Sequence, residues 1–174
     1  SAIAAGGRRC ESGRVDGITG FRGEDRFLVC RGRETGGFVA VDPGVLAQRV
    51  AKLSRVTPIV STMKKVDWKS FDLAFSILVC DASNIWMDVI DELVEIAEKT
   101  TWALPAVVVL TLKLPFRTST SVRRHVDSIT QQLPEYVKRL SNAMFEKETK
   151  TRYRLLHLMA NAASERTLVV IFEE

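Results

Sequence analysis

Short apolar runs alternate with amphipathic stretches over most of the chain. The nearly continuous apolar runs lie at 38–41, 58–60, 73–80 and 106–112. Such runs are typical of strands buried inside a sheet. Stretches with helical spacing of apolar positions lie at 45–54, 85–102 and 119–145. This alternation predicts an α/β domain with a mostly parallel sheet covered on both faces.

The two ends of the chain depart from this alternation. Near the C-terminus, strand patterns at 152–159 and 167–172 are separated only by the polar segment 161–166. Because no helix can lie between them, they predict an antiparallel hairpin. The first 36 residues are rich in Gly and Arg, with one short strand pattern at 26–31. We therefore divide the chain into an irregular N-terminal segment, 1–36, and a domain, 37–174.

The stretch 85–102 combines an apolar face with an acidic one. Its acids stand at positions 88, 91, 92, 95 and 98. On a helix these positions form a solvated face. We expect this face to meet solvent or a protein partner, because its charge repels RNA.

Composition limits the class of protein. The 174 residues are 46% apolar and 26% charged, which is typical of a folded domain. The net charge of +4 permits an anionic partner such as RNA. No apolar run has the roughly 20 residues of a membrane helix. The three cysteines form no CxxC pair, and with only two histidines the chain has no metal-binding motif. Widely spaced cysteines are typical of reduced residues and favour an intracellular protein of the cytoplasm or mitochondrion.

Three charged residues stand where predicted strands end. Asp42 follows 38–41, Asp81 follows 73–80, and Lys113 follows 106–112. Ligands of open α/β sheets bind beyond the carboxyl ends of the strands, and an acid after the second strand can bind a ribose. Each residue also has a structural interpretation. Asp42 fits an Asp-Pro-Gly turn, Asp81 fits a helix N-cap, and Lys113 fits a lysine emerging from a strand.

The order of these residues resembles a known family. The relevant segments are Val79-Cys80-Asp81, a following helix and Leu112-Lys113-Leu114-Pro115. Together they resemble the FtsJ-type RNA ribose 2′-O-methyltransferases, and within that family they are most similar to the RlmM branch, which acts on ribosomal RNA. The resemblance runs from about 37 to 172. It implies a class I methyltransferase fold, Rossmann-like, whose sheet closes with the C-terminal hairpin.

The resemblance also implies a site. In that family a Lys-Asp-Lys-Glu tetrad surrounds the target ribose, and Asp81, Lys113 and Glu165 match its last three members. They would be the catalytic residues, with Lys113 activating or steering the 2′-hydroxyl. Asp42 and Asp81 would bind the cofactor, S-adenosylmethionine. Lys113, Arg117, Arg123 and Arg124 would contact RNA, and the basic stretch 147–154 with Tyr153 is a further candidate.

Two parts of the family pattern are missing. No GxxPGG cofactor loop precedes Asp42, and the first lysine of the chain, Lys52, stands after the second strand. Either the chain is a degenerate member that serves as an RNA-binding or ribosome assembly factor, or the sequence lacks segments of a longer active enzyme. Its partners would be ribosomal RNA and assembly proteins. A third interpretation is an unrelated Rossmann-like domain whose Asp81, Lys113 and Glu165 are caps and surface charges.

Overall fold

The computed structural model describes residues 27–32, 36–44, 51–114, 119–159, 161–162 and 164–174. The strands are β1 Phe27–Gly32, β2 Phe38–Asp42, β3 Val56–Val60, β4 Ala74–Ile85, β5 Thr101–Lys113, β6 Lys150–Leu156 and β7 Glu165–Glu173. The helices within these described residues are α1 Trp86–Ala97 and α2 Ser119–Met144, with short 3₁₀ helices at Met63–Lys65 and Trp68–Ser70. The helix predicted at 45–54 lies mostly outside the described residues.

The seven strands form one mixed sheet in the order β3-β2-β1-β4-β5-β7-β6. The β2–β3 and β4–β5 pairs are parallel, and the other four neighbouring pairs are antiparallel. The α/β class and the antiparallel β6–β7 hairpin are confirmed. The prediction of a mostly parallel sheet is wrong, chiefly because β1 runs against both its neighbours. Only residues 33–37 join β1 to β2, which suits a hairpin and is too short for a parallel crossover.

Five strands nevertheless point the same way. Following the pairs across the sheet, β2, β3, β4, β5 and β6 share one direction, and β1 and β7 are reversed. The ends of those five strands and the starts of β1 and β7 therefore lie along one side of the sheet. We call this side the carboxyl edge.

The two faces of the sheet are buried to different degrees. Along β5, Val108 and Leu110 are buried, whereas Val107 and Val109 are only partly covered. Successive side chains of a strand point to opposite faces, so burial follows the face. The buried side belongs to a core cluster that includes residues of α1, α2 and the 3₁₀ helices. We call the opposite side the outer face; it is partly covered along β5 and buried at Ala40 and Thr167.

Helix α1 is shorter than the sequence pattern suggests. Thr101 and Trp102, which the predicted helix includes, already belong to β5. Among its acids, Glu92 is buried, and its Oε1 lies 3.2 Å from Lys64 Nζ. The prediction of a solvated face is wrong at this residue. The reason is position, because Glu92 stands three residues after the buried Val89 and four before the buried Ile96.

Helix α2 continues without interruption past Pro134. It lies beside α1, where Arg139 Nη2 is 2.9 Å from Asp91 Oδ1 and the rings of Trp86 and Tyr136 meet edge to face at 5.0 Å. No helix among the described residues is long and apolar enough to cross a membrane. The predicted N-terminal segment, 1–36, contributes β1 to the centre of the sheet, and 1–26 lie outside the described residues.

Candidate functional site at the carboxyl edge

Lys113, Asp81 and Glu165 come together at the carboxyl edge. Lys113 is the last residue of β5, and Glu165 is the first residue of β7. Because β7 is antiparallel to β5, these two residues are directly paired in the ladder. Asp81 lies on β4 opposite Thr111, two residues before Lys113. Residues that are separated by up to 84 positions in the chain thus become neighbours.

The three side chains form a lysine held between two carboxylates. Lys113 Nζ lies 3.5 Å from Asp81 Oδ1 and 3.9 Å from Glu165 Oε1. The exposed fractions are 32% for Lys113, 54% for Asp81 and 24% for Glu165. Ion pairs this exposed contribute little to stability. Their value is geometric, because an ammonium donor and two carboxylate acceptors face one accessible point.

Glu165 has a second role in the turn that precedes β7. Its Oε2 accepts a hydrogen bond of 2.9 Å from the Ala162 amide, and its own amide donates to the Ala162 carbonyl at 2.9 Å. The Leu114 amide donates to the Ser164 carbonyl at 2.8 Å. These bonds tie the turn to the end of β5 and fix the position of the carboxylate beside Lys113.

Asp81 does not cap a helix. Helix α1 begins at Trp86, its N-cap is Ile85, and no side chain caps it. Asp81 instead lies within β4 and points to the outer face, as does Lys113. The structural interpretation of Asp81 as a cap is therefore wrong, and its exposed carboxylate is available to a ligand at the edge.

Asp42 shares the outer face and the carboxyl edge but is not accessible. It is only 1% exposed, and its Oδ1 accepts a hydrogen bond of 2.6 Å from the Gly44 amide. This is the geometry of an Asp-Pro-Gly turn. The β1 strand lies between β2 and β4, so the backbones of Asp42 and Asp81 are about 10 Å apart. A cofactor ribose could bind Asp42 only after this turn opens.

The residues present do not fit S-adenosylmethionine in the manner expected. A glycine-rich loop and a helix should follow the first strand, but β1 and β2 form a hairpin over residues 33–37. Such a loop allows close backbone approach to the cofactor. No such loop lies among the described residues and Asp42 is buried, so of the two expected cofactor-binding residues only Asp81 is exposed beside Lys113.

The basic residues expected to contact RNA do not share one edge, because the stretch 147–154 includes the start of β6, which lies at the end of the sheet opposite the carboxyl edge. Arg123 and Arg124 are exposed in the beginning of α2, which starts six residues after Lys113. Arg117 lies outside the described residues. The stretch 147–154 leads into β6, where Arg152 and Arg154 are exposed.

Sequence reasoning missed Glu173, which is the partner of Arg152 and Lys150. It accepts a hydrogen bond from Arg152 and lies 3.9 Å from Lys150 Nζ. The signal was present, because basic residues at 150, 152 and 154 alternate with others as a strand requires. Only the β6–β7 register reveals that Glu173 faces them.

A cavity of about 1130 Å³ lies at the other end of the sheet, near the start of β5 and the last turns of both helices. Its lining includes Trp102, Arg139 and Phe145. The indole Nε1 of Trp102 has no hydrogen-bond acceptor among the described residues. The length of β5 separates this cavity from Lys113, so it takes no part in the site at the carboxyl edge.

Comparisons with known proteins leave the family open. Among the described residues, no group of three His, Cys, Asp or Glu side chains is placed to hold a metal ion. No known protein-family model matches the chain, and no curated protein is significantly similar to it. The resemblance to the FtsJ-type methyltransferases therefore stays a prediction from the residues themselves.

Proposed function

We propose that this chain is a methyltransferase-like domain that binds RNA at its carboxyl edge and has lost transfer from S-adenosylmethionine. The observation that carries the proposal is the meeting of Lys113, Asp81 and Glu165 at an exposed edge. The β1–β2 hairpin, in the place expected for a cofactor loop, argues for binding without methylation. The class I methyltransferase ancestry and a ribosomal RNA target are parts of the same proposal.

The chemistry of the cluster suits a ribose hydroxyl. A 2′-hydroxyl both donates and accepts hydrogen bonds, which distinguishes RNA from DNA. Its oxygen would accept from the Lys113 ammonium, and its proton would be donated to Asp81. Glu165 would hold the ammonium in place from the other side. Arg123 and Arg124, at the start of α2, would contact the neighbouring phosphates.

The experiment compares a short oligouridylate with the deoxyuridylate of the same length by fluorescence anisotropy. We expect tighter binding of the ribose form by about fivefold to tenfold, which is typical of one hydrogen bond to a charged group at a partly exposed site. Lys113→Met should abolish this preference, since the substitution keeps the apolar stem and removes the donor. Lys138→Met, an exposed lysine of α2, is the matched control.

Equal affinity for both oligonucleotides, or a preference that survives in Lys113→Met, would reject recognition of the ribose by this cluster. Absence of binding to either one would reject the RNA-binding function itself. Unfolding curves of both variants show whether the fold is retained.

The second candidate is an active methyltransferase, and the observation favouring it is that three residues of the tetrad come together. Calorimetry with S-adenosylmethionine separates the two. We expect no binding at millimolar cofactor. Clear binding that is lost in Asp42→Ala would replace our proposal with the active enzyme.

A further inference from the structure

The outermost strand, β6, presents a row of basic side chains. Lys150, Arg152 and Arg154 are all exposed. The residues between them face the helices, because Leu155 packs against the core and Thr151 contacts Thr149, whose hydroxyl lies 2.8 Å from that of Ser141 in α2. The three basic side chains therefore point to the outer face. They lie beside the partly covered Ile171 and Val169 of β7.

The spacing of this row suits a single nucleic-acid strand. Alternate residues of a strand are about 6.6 Å apart, comparable to the separation of successive phosphates in an extended polynucleotide. Arg154 pairs with Val169, which pairs with Val109 of β5, four residues before Lys113. Arg154 and Lys113 are thus separated by two strand spacings across the sheet and by four residues along the strand direction. Their backbones are therefore about 16 Å apart. A few nucleotides would span that distance.

The row is partly neutralised by one carboxylate. Glu173 bonds Arg152 and lies 3.9 Å from Lys150 Nζ. Among the described residues, no carboxylate lies within ion-pair distance of Arg154. Exposed ion pairs such as those of Glu173 contribute little free energy, so a phosphate can displace them. The displaced carboxylate remains close by and repels the phosphate.

We infer that Lys150, Arg152 and Arg154 form a phosphate-binding row that leads a single RNA strand across the outer face to Lys113, and that Glu173 limits its affinity. This inference rests on the proposed RNA-binding function and adds the path of the strand. A basic sheet edge could also attract an acidic peptide. The phosphate-like spacing and the convergence on a site for ribose favour RNA.

The experiment measures binding of the oligouridylate to the full chain between about 50 and 200 mM salt. Each phosphate contact to a single strand makes the negative slope of log affinity against log salt steeper by about 0.7. At 0.1 M salt, the loss of one such contact lowers the affinity by about fivefold relative to 1 M salt. Arg154→Gln should lower the affinity and the slope by these amounts. Glu173→Gln should raise the affinity by about twofold to fivefold and make the slope steeper. Lys138→Gln, on the other side of the sheet, should change the affinity and the slope by less than Arg154→Gln does.

Glu173→Gln is the decisive variant, because a folding defect cannot tighten binding. Unchanged or weaker binding by this variant, or unaltered binding by Arg154→Gln, overturns the row. If the row is overturned but the preference for the ribose form through Lys113 persists, the proposed function stands without the row. Competition by polyglutamate as effective as by the oligouridylate would show a general polyanion surface and would also overturn the inference. Absence of RNA binding by every form rejects both proposals.

Discussion

At the scale of single residues, the same charged side chain can hold a turn and form a site. Glu165 does both, since Oε1 faces Lys113 and Oε2 binds the Ala162 amide. Asp42 lies at the other extreme, because its burial and its bond to Gly44 commit it to a turn. Both are carboxylates at the terminus of a strand on the carboxyl edge, and their surroundings separate a ligand contact from a structural one.

The double role of Glu165 gives a prediction for stability. Glu165→Gln keeps an oxygen that can accept from the Ala162 amide, so the free energy of unfolding should change by less than about 0.5 kcal/mol. Glu165→Ala removes that acceptor and should lower the free energy of unfolding by about 1 kcal/mol. Urea unfolding measures both. An equal loss in the two variants would mean that the charge beside Lys113, rather than the turn bond, is what stabilises the native state.

At the scale of elements, α2 contains a proline, the residue that most disfavours a helix interior. Pro134 is exposed inside the helix and has no N–H to donate to the carbonyl of Thr130. A proline in a helix interior costs about 3 kcal/mol, partly offset because it restricts the unfolded chain by about 0.4–1 kcal/mol. The helix persists because its apolar side, which includes the buried Leu133 and Val137, packs into the core.

We therefore expect Pro134→Ala to stabilise the protein by about 1–2 kcal/mol, since it restores the missing donor. Thermal and urea unfolding give the measurement. The neighbouring exposed Glu135→Ala is the control and should change stability by less than about 0.5 kcal/mol. Destabilisation by Pro134→Ala would show that the surrounding packing depends on the shape that proline gives the helix.

At the scale of the whole molecule, the two faces of the sheet are covered to different degrees at β4, β5 and β7. Helices α1 and α2 cover one face of the sheet, and the outer face carries the partly covered side of β4, β5 and β7. The charged cluster lies at the end of that outer face and the basic row lies at its border. The candidate RNA surface is thus the side of the sheet that the described helices leave open.

Adjacent valines of β5 test this asymmetry with the same substitution. Val108 is fully buried on the helix side, and Val109 is partly covered on the outer face. Val108→Ala should lower the free energy of unfolding by about 2–3 kcal/mol through lost burial and a cavity. Val109→Ala should cost about 1 kcal/mol or less. Equal losses in urea unfolding would mean that the outer face is packed as tightly as the helix side.

The sequence alone predicted most elements and the members of the cluster. Apolar runs located the strands, and polar residues at their ends picked out Asp81 and Lys113, because a charge is tolerated where a buried strand emerges. The absence of a helical pattern between 159 and 167 predicted the antiparallel hairpin, which brings Glu165 to Lys113. Errors of element length occurred where patterns overlap, as at 101–102, where the apolar Trp102 fits a helix and a strand equally well.

Tertiary structure decided the rest. The direction of β1 is not encoded in its apolar pattern, since a strand with the same alternation can pair either way, and the short connection at 33–37 makes it a hairpin. The burial of Asp42 and Glu92 and the pairing of Arg152 with Glu173 likewise depend on residues distant in the chain. Local patterns determine where strands and helices form, because their causes are local. Which polar groups meet, and how deeply each face of the sheet is covered, depends on how those elements pack.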